Sequence, residues 1–476
     1  MPAAAEKEVT SPPEAATLGE LRASGWVSRS VGEELRANAA VRIAEGRPMV
    51  EGVMGYSESV MPDLERALLA GHDIIFLGER GQAKTRIMRS LIGLLDPWIP
   101  VVAGSEINDD PFAPVSTFAR KLVNEEGDAT PIAWVPRDRR YTEKLATPDT
   151  SIADLIGEVD PIKVAEGRYL ADDSTLHFGL VPRANRGIFA LNELPDLAER
   201  IQVGLLNVLE ERDVQVRGFT VRLPLDVVLL ASANPEDYTN RGRIITPLKD
   251  RFGSQIRTHY PRTPDEELAI VAQEVQPLEV GELTAVVPGF LSEVVVELTQ
   301  LGRRSPHLNQ RSGLSVRMTI ANQEVLQASA MRRALRLDSV EATARPSDLA
   351  ALIAATAGKI EVEALEESRE GEVLERLLRS AVLAVWKRRV PQDRMKAVIT
   401  EFETQPEFEV GDDLPDSVYS KALGGRPALR EVALLVAAGE SAALVASATE
   451  FVLEGLHLGK RLNKSATGTG ATFFSG

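Results

Sequence analysis

Ile74-Ile75-Phe76-Leu77-Gly78-Glu79-Arg80-Gly81-Gln82-Ala83-Lys84-Thr85 joins an apolar run to a phosphate-cradle loop. The four apolar residues predict a buried strand. The eight that follow have the form G-x-x-x-x-G-K-[ST], with Ala83 in place of the last glycine. Glycines let the backbone curl until successive N–H groups point at one set of phosphate oxygens. Lys84 is placed to reach β- and γ-phosphates, and the Thr85 hydroxyl to ligate Mg²⁺. Arg86-Ile87-Met88-Arg89-Ser90-Leu91 continues as a helix whose N-terminus favours anions. Ala83 keeps its N–H, so the cradle needs only a negative φ there; a positive φ costs about 1 kcal/mol or more. Gly78, Glu79, Arg80, Gly81, Gln82, Ala83, Lys84 and Thr85 are therefore expected to bind a nucleoside triphosphate with Mg²⁺.

The rest of the composition fits such a protein. At 476 residues, about two to four structural units are expected, with ample length for a core. A net charge of −16 argues against nucleic acid as the main partner, since phosphate repulsion would need a local basic patch to overcome it. The absence of cysteine excludes disulfides and thiolate metal sites. The histidines (His72, His177, His259, His307, His457) are scattered without ligand spacing. No basic segment precedes an apolar core at the N-terminus, and Val432 to Ala448, the most apolar stretch, is interrupted by Gly439-Glu440. It reads as buried helical turns, and a cytoplasmic location with no membrane span is expected.

Residues 1–17, rich in proline and small side chains, are expected to be disordered. Residues 18–262 read as an α/β nucleotide-binding core. Helical periodicity runs from Leu18 to Ala44 and from Met61 to Leu69. Buried strands are expected at Trp98 to Val102, Gly187 to Leu191, Val227 to Ser232 and Ser254 to His259, giving a parallel sheet covered on both faces. The interval of about residues 103–186 is too long for a plain crossover and reads as an insertion carrying partner or substrate contacts. It includes the charged segment Arg137-Asp138-Arg139-Arg140-Tyr141. From Thr263 the pattern turns helical: residues 263–400 read as a helical lid domain and 401–476 as a further region. Its Gly/Ser/Thr-rich tail from Ser465 is expected to be mobile.

The chemistry expected of the core lies at the strand ends. Gly187 to Leu191 ends in Asn192-Glu193, where nucleotide triphosphatases place an Asp-Glu pair. The first of the pair helps hold Mg²⁺, and the second orients the attacking water. Glu193 is intact. Asn192 offers an amide oxygen where a carboxylate is usual, so lower metal affinity and slow turnover are expected. Ala231-Ser232-Ala233-Asn234-Pro235 puts Asn234 at a strand tip, where it can sense the γ-phosphate. Arg251, in Leu248-Lys249-Asp250-Arg251-Phe252-Gly253, precedes the last strand and is expected at a subunit edge. Arg317 opens a periodic helix from which it could close over a nucleotide.

This order resembles that of AAA+ ATPases, and in particular the magnesium-chelatase ATPase subunit and its MoxR relatives. The likeness covers roughly Val53 to Leu335. Besides the phosphate loop, it rests on Val181-Pro182-Arg183-Ala184-Asn185-Arg186-Gly187, on Leu205-Leu206-Asn207-Val208-Leu209-Glu210-Glu211-Arg212, and on an expected hairpin from Val214 to Leu223. The resemblance implies a P-loop core with a five-stranded parallel sheet, a helical lid and a mostly helical C-terminal region. It gives Asn234 the sensor-1 role, Arg251 that of arginine finger and Arg317 that of sensor 2. MoxR-type loops also accept alanine before the lysine. The resemblance further implies hexameric rings, ATP hydrolysis with Mg²⁺, and a protein partner with a von Willebrand A-type domain. Enhancer-binding activators form a neighbouring clade, but their GAFTGA loop is absent here.

An ATP-driven remodelling motor is the leading expectation. The alternatives are a nucleotide-gated assembly scaffold with little hydrolysis, which Asn192 favours, and the ATPase subunit of a true magnesium-porphyrin chelatase.

Overall fold

The computed structural model describes residues 11–159, 176–211, 214–216, 219–221, 223–234, 242–308, 314–360, 370–467 and 470–475. The chain divides into two compact units, Met1–His259 and Tyr260–Gly476.

The first unit is built on a five-stranded parallel sheet. We label its strands β1 (Ile74–Leu77), β2 (Tyr141–Leu145), β3 (Gly187–Asn192), β4 (Val227–Ala233) and β5 (Ser254–Arg257). Their order across the sheet is β5-β1-β4-β3-β2. Side chains alternate between faces along each strand. Ile74, Phe76, Ile188, Ala190, Leu230 and Ile256 therefore share one core with Leu35, Leu64 and Met88 from helices Val31–Ala44, Val60–Ala70 and Lys84–Ser90. Ile75, Leu77, Phe189, Leu191, Leu229 and Ala231 face a second core with Leu205, Leu248 and Phe252. Both faces are covered, which is why β1, β3 and β4 are apolar along their length.

The structure corrects the expected strand set at one place. Trp98–Val102 does not join the sheet; it pairs antiparallel with Ile132–Pro136. The outer strand is β2, inside the interval expected to be an insertion. An edge strand has one neighbour, and β2 is half-buried and polar, so no apolar run announces it. Arg140, within the charged segment Arg137 to Tyr141, is 2% exposed. It donates to both carboxylate oxygens of buried Glu34, at 2.7 and 2.6 Å, and from Nε to Arg186 O at 2.8 Å. This bidentate pair fixes where β2 begins. The hairpin appears as Val214–Val216 paired with Phe219–Val221.

Of the segment expected to be disordered, residues 1–10 lie outside the described residues. Residues 15–17 are held: Ile132 N donates to Ala16 O, Trp134 Nε1 donates to Ala15 O, and Thr17 caps helix Leu18–Ala23 in a capping box with Glu20.

In the second unit one core takes residues from Phe290 to Phe473. Helices Gly289–Arg304, Val316–Leu337, Glu370–Arg389 and Ala442–Leu458 supply most of it. Buried Glu267 ties three helices together. It accepts from Gln300 Nε2 at 2.8 Å, from Thr319 Oγ1 at 2.7 Å and from Arg303 at 2.7 and 2.9 Å. The tail expected to be mobile forms strands instead. Asn463–Thr467 and Gly470–Phe474 pair antiparallel, and the second also pairs with Glu407–Gly411. Phe473 is 1% exposed, so an apolar anchor outweighs the flexible composition around it. The apolar stretch near Val432 is a bent pair, Pro427–Ala437 and Ala442–Leu458; among the described residues no single helix is long and apolar enough to cross a membrane.

Candidate nucleotide site

Because β1, β4 and β3 are adjacent and parallel, their C-terminal ends bring Gly78, Asn234 and Asn192-Glu193 to one edge of the sheet. Ligands of open α/β sheets bind at that edge. The loop between β1 and helix Lys84–Ser90 is tightly held. A Cβ at Gly78 would lie 1.9 Å from Thr258 Oγ1 and 2.3 Å from Gln82 Oε1, so only glycine fits. Gly81 has φ +74°, a left-handed turn that suits glycine.

Ala83 also turns left-handed, with φ 56° and ψ 13°, so the negative φ that would have cost nothing is not adopted. Its carbonyl accepts the first helical bond, from Ile87 N at 2.9 Å.

The loop is braced from below. Gln82 is buried, and its Oε1 accepts from Thr258 Oγ1 at 2.7 Å. Tyr56 OH donates a shared bond to Gln82 O at 2.9 Å and His259 O at 2.8 Å. Burial raises the Tyr56 phenol above its ordinary value, so it stays a neutral donor at physiological pH. Neither Tyr56 nor Thr258 was expected from sequence; each sits away from the loop in the chain, and nothing local marks it.

Lys84 is 7% exposed. Its ammonium donates to Gly78 O, to Glu79 O at 2.8 Å and to Asn234 Oδ1 at 2.7 Å. Asn234 Nδ2 in turn donates to Glu193 Oε2 at 2.8 Å. Lysine, sensing amide and acid thus form one hydrogen-bonded chain. Glu193 sits in the left-handed region at φ 55°, and its N–H donates to Ser232 Oγ at 3.2 Å. Such strain is held only where surrounding bonds over-determine it.

Thr85 Oγ1 donates to Asn192 Oδ1 at 3.1 Å, and Ser232 Oγ donates to the same oxygen at 3.1 Å. The hydroxyl and amide oxygens are hard donors of the kind Mg²⁺ takes alongside phosphates and water. They fit a cation at this corner. Among the described residues, no cluster of three or more His, Cys, Asp or Glu side chains could hold a metal unaided. On its other side Asn192 Nδ2 donates to Glu143 Oε1, 2.7 Å away on β2. The sequence reading missed Glu143 because it missed the strand.

Arg80 and Arg251 are exposed, Arg251 as the last residue of helix Thr246–Arg251. Arg317 is the second residue of helix Val316–Leu337 in the other unit, also exposed.

A family model, the sigma-54 interaction domain, matches residues 164–251, a stretch without GAFTGA. The magnesium-chelatase subunit ChlI of Anabaena variabilis is 28% identical over 234 residues, covering 48% of this chain and 64% of that protein. ChlI of Guillardia theta is 30% identical over 207 residues, covering 42% of this chain and 54% of that protein. The chain therefore spans less than two thirds of either relative. A solved structure of the BchI–BchD complex of magnesium chelatase matches at 21% identity and a TM-score of 0.35, covering 70% of this chain and all of that one. From the phosphate loop, the β5-β1-β4-β3-β2 sheet and these sequence relatives, the chain is an AAA+ ATPase related to the magnesium-chelatase ChlI subunits.

Proposed function

We propose that the chain is an ATP-dependent motor that assembles as a ring and remodels or activates a partner protein, one with a von Willebrand A-type domain. The observation that carries the reading is the chain Lys84–Asn234–Glu193, with Thr85 and Asn192 beside it. In this reading the loop from Gly78 to Thr85 wraps the phosphates with its N–H groups, and Lys84 exchanges its carbonyl partners for phosphate oxygens. Thr85 and Asn192 hold Mg²⁺, which, when bound, neutralises charge developing on the phosphates. Glu193 orients water, and Asn234 fixes the carboxylate that does so. Arg251 reaches the neighbouring subunit's nucleotide, and Arg317 takes the sensor-2 role. The brace through Tyr56 and Thr258 keeps the loop in its bound shape.

Steady-state phosphate release with Mg²⁺ tests the motor. Glu193→Gln should bind ATP and stall; hydrolysis at the parent rate in that variant would remove Glu193 from the mechanism.

A second reading, a nucleotide-gated scaffold that hydrolyses slowly or not at all, is favoured by the amide at Asn192. It predicts ATP-dependent assembly without phosphate release. The chelatase-subunit reading rests on the relatives alone and predicts ATP-dependent stimulation of Mg²⁺ insertion into a porphyrin when partner subunits are added.

A further inference from the structure

We infer that Glu143 is a positioning residue for the cation corner of the site, supplying from strand β2 the carboxylate that Asn192 does not carry on β3. The inference rests on the nucleotide reading above and specifies how its unusual Asn192 is made to work.

The placement follows from register. β2 and β3 are parallel, with Glu143 opposite Ala190 and Leu145 opposite Asn192. Register partners point to the same face, so Glu143 and Asn192 share one face, two residues apart along the pleat. The contact is direct: Asn192 Nδ2 donates to Glu143 Oε1 at 2.7 Å. A carboxylate only accepts, so the amide end that meets it must be the NH₂. That fixes Oδ1 toward Thr85 and Ser232, both of which donate to it. Without the carboxylate, only these two hydroxyls, which can also accept, would oppose the amide's turning its NH₂ toward the cation. The negative charge behind Nδ2 also polarises the amide and makes Oδ1 a stronger acceptor.

The competing account makes Glu143 a partner of Arg89 only. Arg89 Nε donates to Oε2 at 2.7 Å and Nη2 to Oε1 at 2.9 Å, while Tyr141 OH donates to Oε2 at 3.2 Å. The Arg89 side chain is 62% exposed, and exposed pairs stabilise little. Nor does that pair explain why Oε1 is shared with the amide next to Thr85. The arrangement also explains why asparagine suits position 192. An aspartate there would put two carboxylates within 2.7 Å, and like charges that close cannot both ionise without cost. One carboxylate serves the corner, displaced by one strand.

The experiment measures binding of a fluorescent ATP analogue to the full chain in Mg²⁺ and in EDTA; the ratio of affinities is the Mg²⁺ gain. Glu143→Gln keeps the shape and removes the charge, and should lower the gain about tenfold, the lower end for partners that orient metal ligands. Asn192→Asp/Glu143→Gln exchanges carboxylate and amide, and should restore the gain. Arg89→Gln should leave it intact. Asn192→Asp alone, which does not depend on Glu143→Gln folding, should weaken binding in EDTA and raise the gain. An unchanged gain in Glu143→Gln overturns the inference, as does equal loss in Arg89→Gln, failure of the exchanged pair to restore it, or an unchanged gain in Asn192→Asp. A parent that binds no nucleotide would refute the nucleotide reading itself, a different outcome from binding whose gain ignores Glu143.

Discussion

Ala83→Gly tests the phosphate loop at its one strained position. Ala83 holds φ 56° at the N-cap of helix Lys84–Ser90. The left-handed region costs a non-glycine residue about 1–2 kcal/mol. Glycine removes that cost but gains freedom in the unfolded chain, worth about 0.4–1 kcal/mol in the opposite direction. Glycine is also the better N-cap of the two, by a few tenths of a kcal/mol or more. The terms leave a net stabilisation of about 1 kcal/mol, or roughly 2–4 °C in Tm for a unit of this size. Scanning calorimetry reads it, with the transition that ATP shifts assigned to the first unit. ATP affinity should hold or rise slightly, since the loop already has the shape glycine prefers. Ala83→Val is the opposing arm: a β-branched side chain is poorly accommodated at this φ, so both Tm and affinity should fall. A lower Tm in Ala83→Gly, or a neutral Ala83→Val, would refute the claim that this loop stores strain at Ala83.

Lys84→Ala should abolish most ATP binding, measured by equilibrium titration, and also cost some stability, because Gly78 O, Glu79 O and Asn234 Oδ1 lose a donor. Arg251→Ala should bind ATP normally and lose about 10³–10⁵ in turnover if it acts as an arginine finger. Mixing it with Glu193→Gln should return part of the activity, since some interfaces then pair an intact Glu193 with a neighbour's intact Arg251; no recovery in rings shown to contain both would place Arg251 outside the neighbouring site. In the helical unit, burial holds the Glu450 carboxyl above its usual value of 4.5, with Arg345 and the Tyr419 hydroxyl opposing. The folded chain therefore binds that proton more tightly than the unfolded chain, and the contribution is lost as pH rises from 4.5 through the raised folded value. As pH rises above 4.5 the urea midpoint of the parent should drop relative to Glu450→Gln, and parallel profiles would contradict the burial argument.

What could be read from sequence was what the chain encodes locally. A phosphate loop needs contiguous residues, and β1, β3 and β4 are buried on both faces, so each appears as an apolar run ending in its functional residue. The misses are of the opposite kind. Tyr141–Leu145 is an edge strand whose exposed side permits Thr, Glu and Lys, and its membership in the sheet is decided by Arg140 and Glu34, far apart in sequence. With the strand went Glu143. The tail from Ser465 has the composition of a linker, and Ala471 and Phe473, buried in a core with distant helices, anchor it as a strand. The segment around Ala16 and Thr17 is held by backbone bonds, from Ile132 N to Ala16 O and from Leu18 N to Thr130 O, for which side-chain composition carries no signal. Tyr56 and Thr258 support the loop through a phenol and a hydroxyl whose targets are set by the fold.

Asn234 is where the two halves of the site meet, and its amide explains why neither a carboxylate nor an apolar side chain would serve there. Its Oδ1 accepts from Lys84 at 2.7 Å while its Nδ2 donates to Glu193 at 2.8 Å. An amide has one accepting end and one donating end, so each partner fixes the other's. Aspartate would keep the lysine but set a second carboxylate against Glu193; leucine would leave both groups without this partner. Phosphate oxygens, multiply charged, compete with the neutral Asn234 oxygen for the same ammonium, and charge-assisted bonds are the stronger. In the proposed reading, occupation of the loop would therefore change what the amide accepts, and through its NH₂ what holds Glu193. The strands need not move. Glu193 itself is fixed at a left-handed φ by the bond from its N–H to Ser232, whose hydroxyl donates to Asn192. The acid proposed to orient water and the amide proposed to hold the cation thus hang on one serine, and through Asn192 on Glu143.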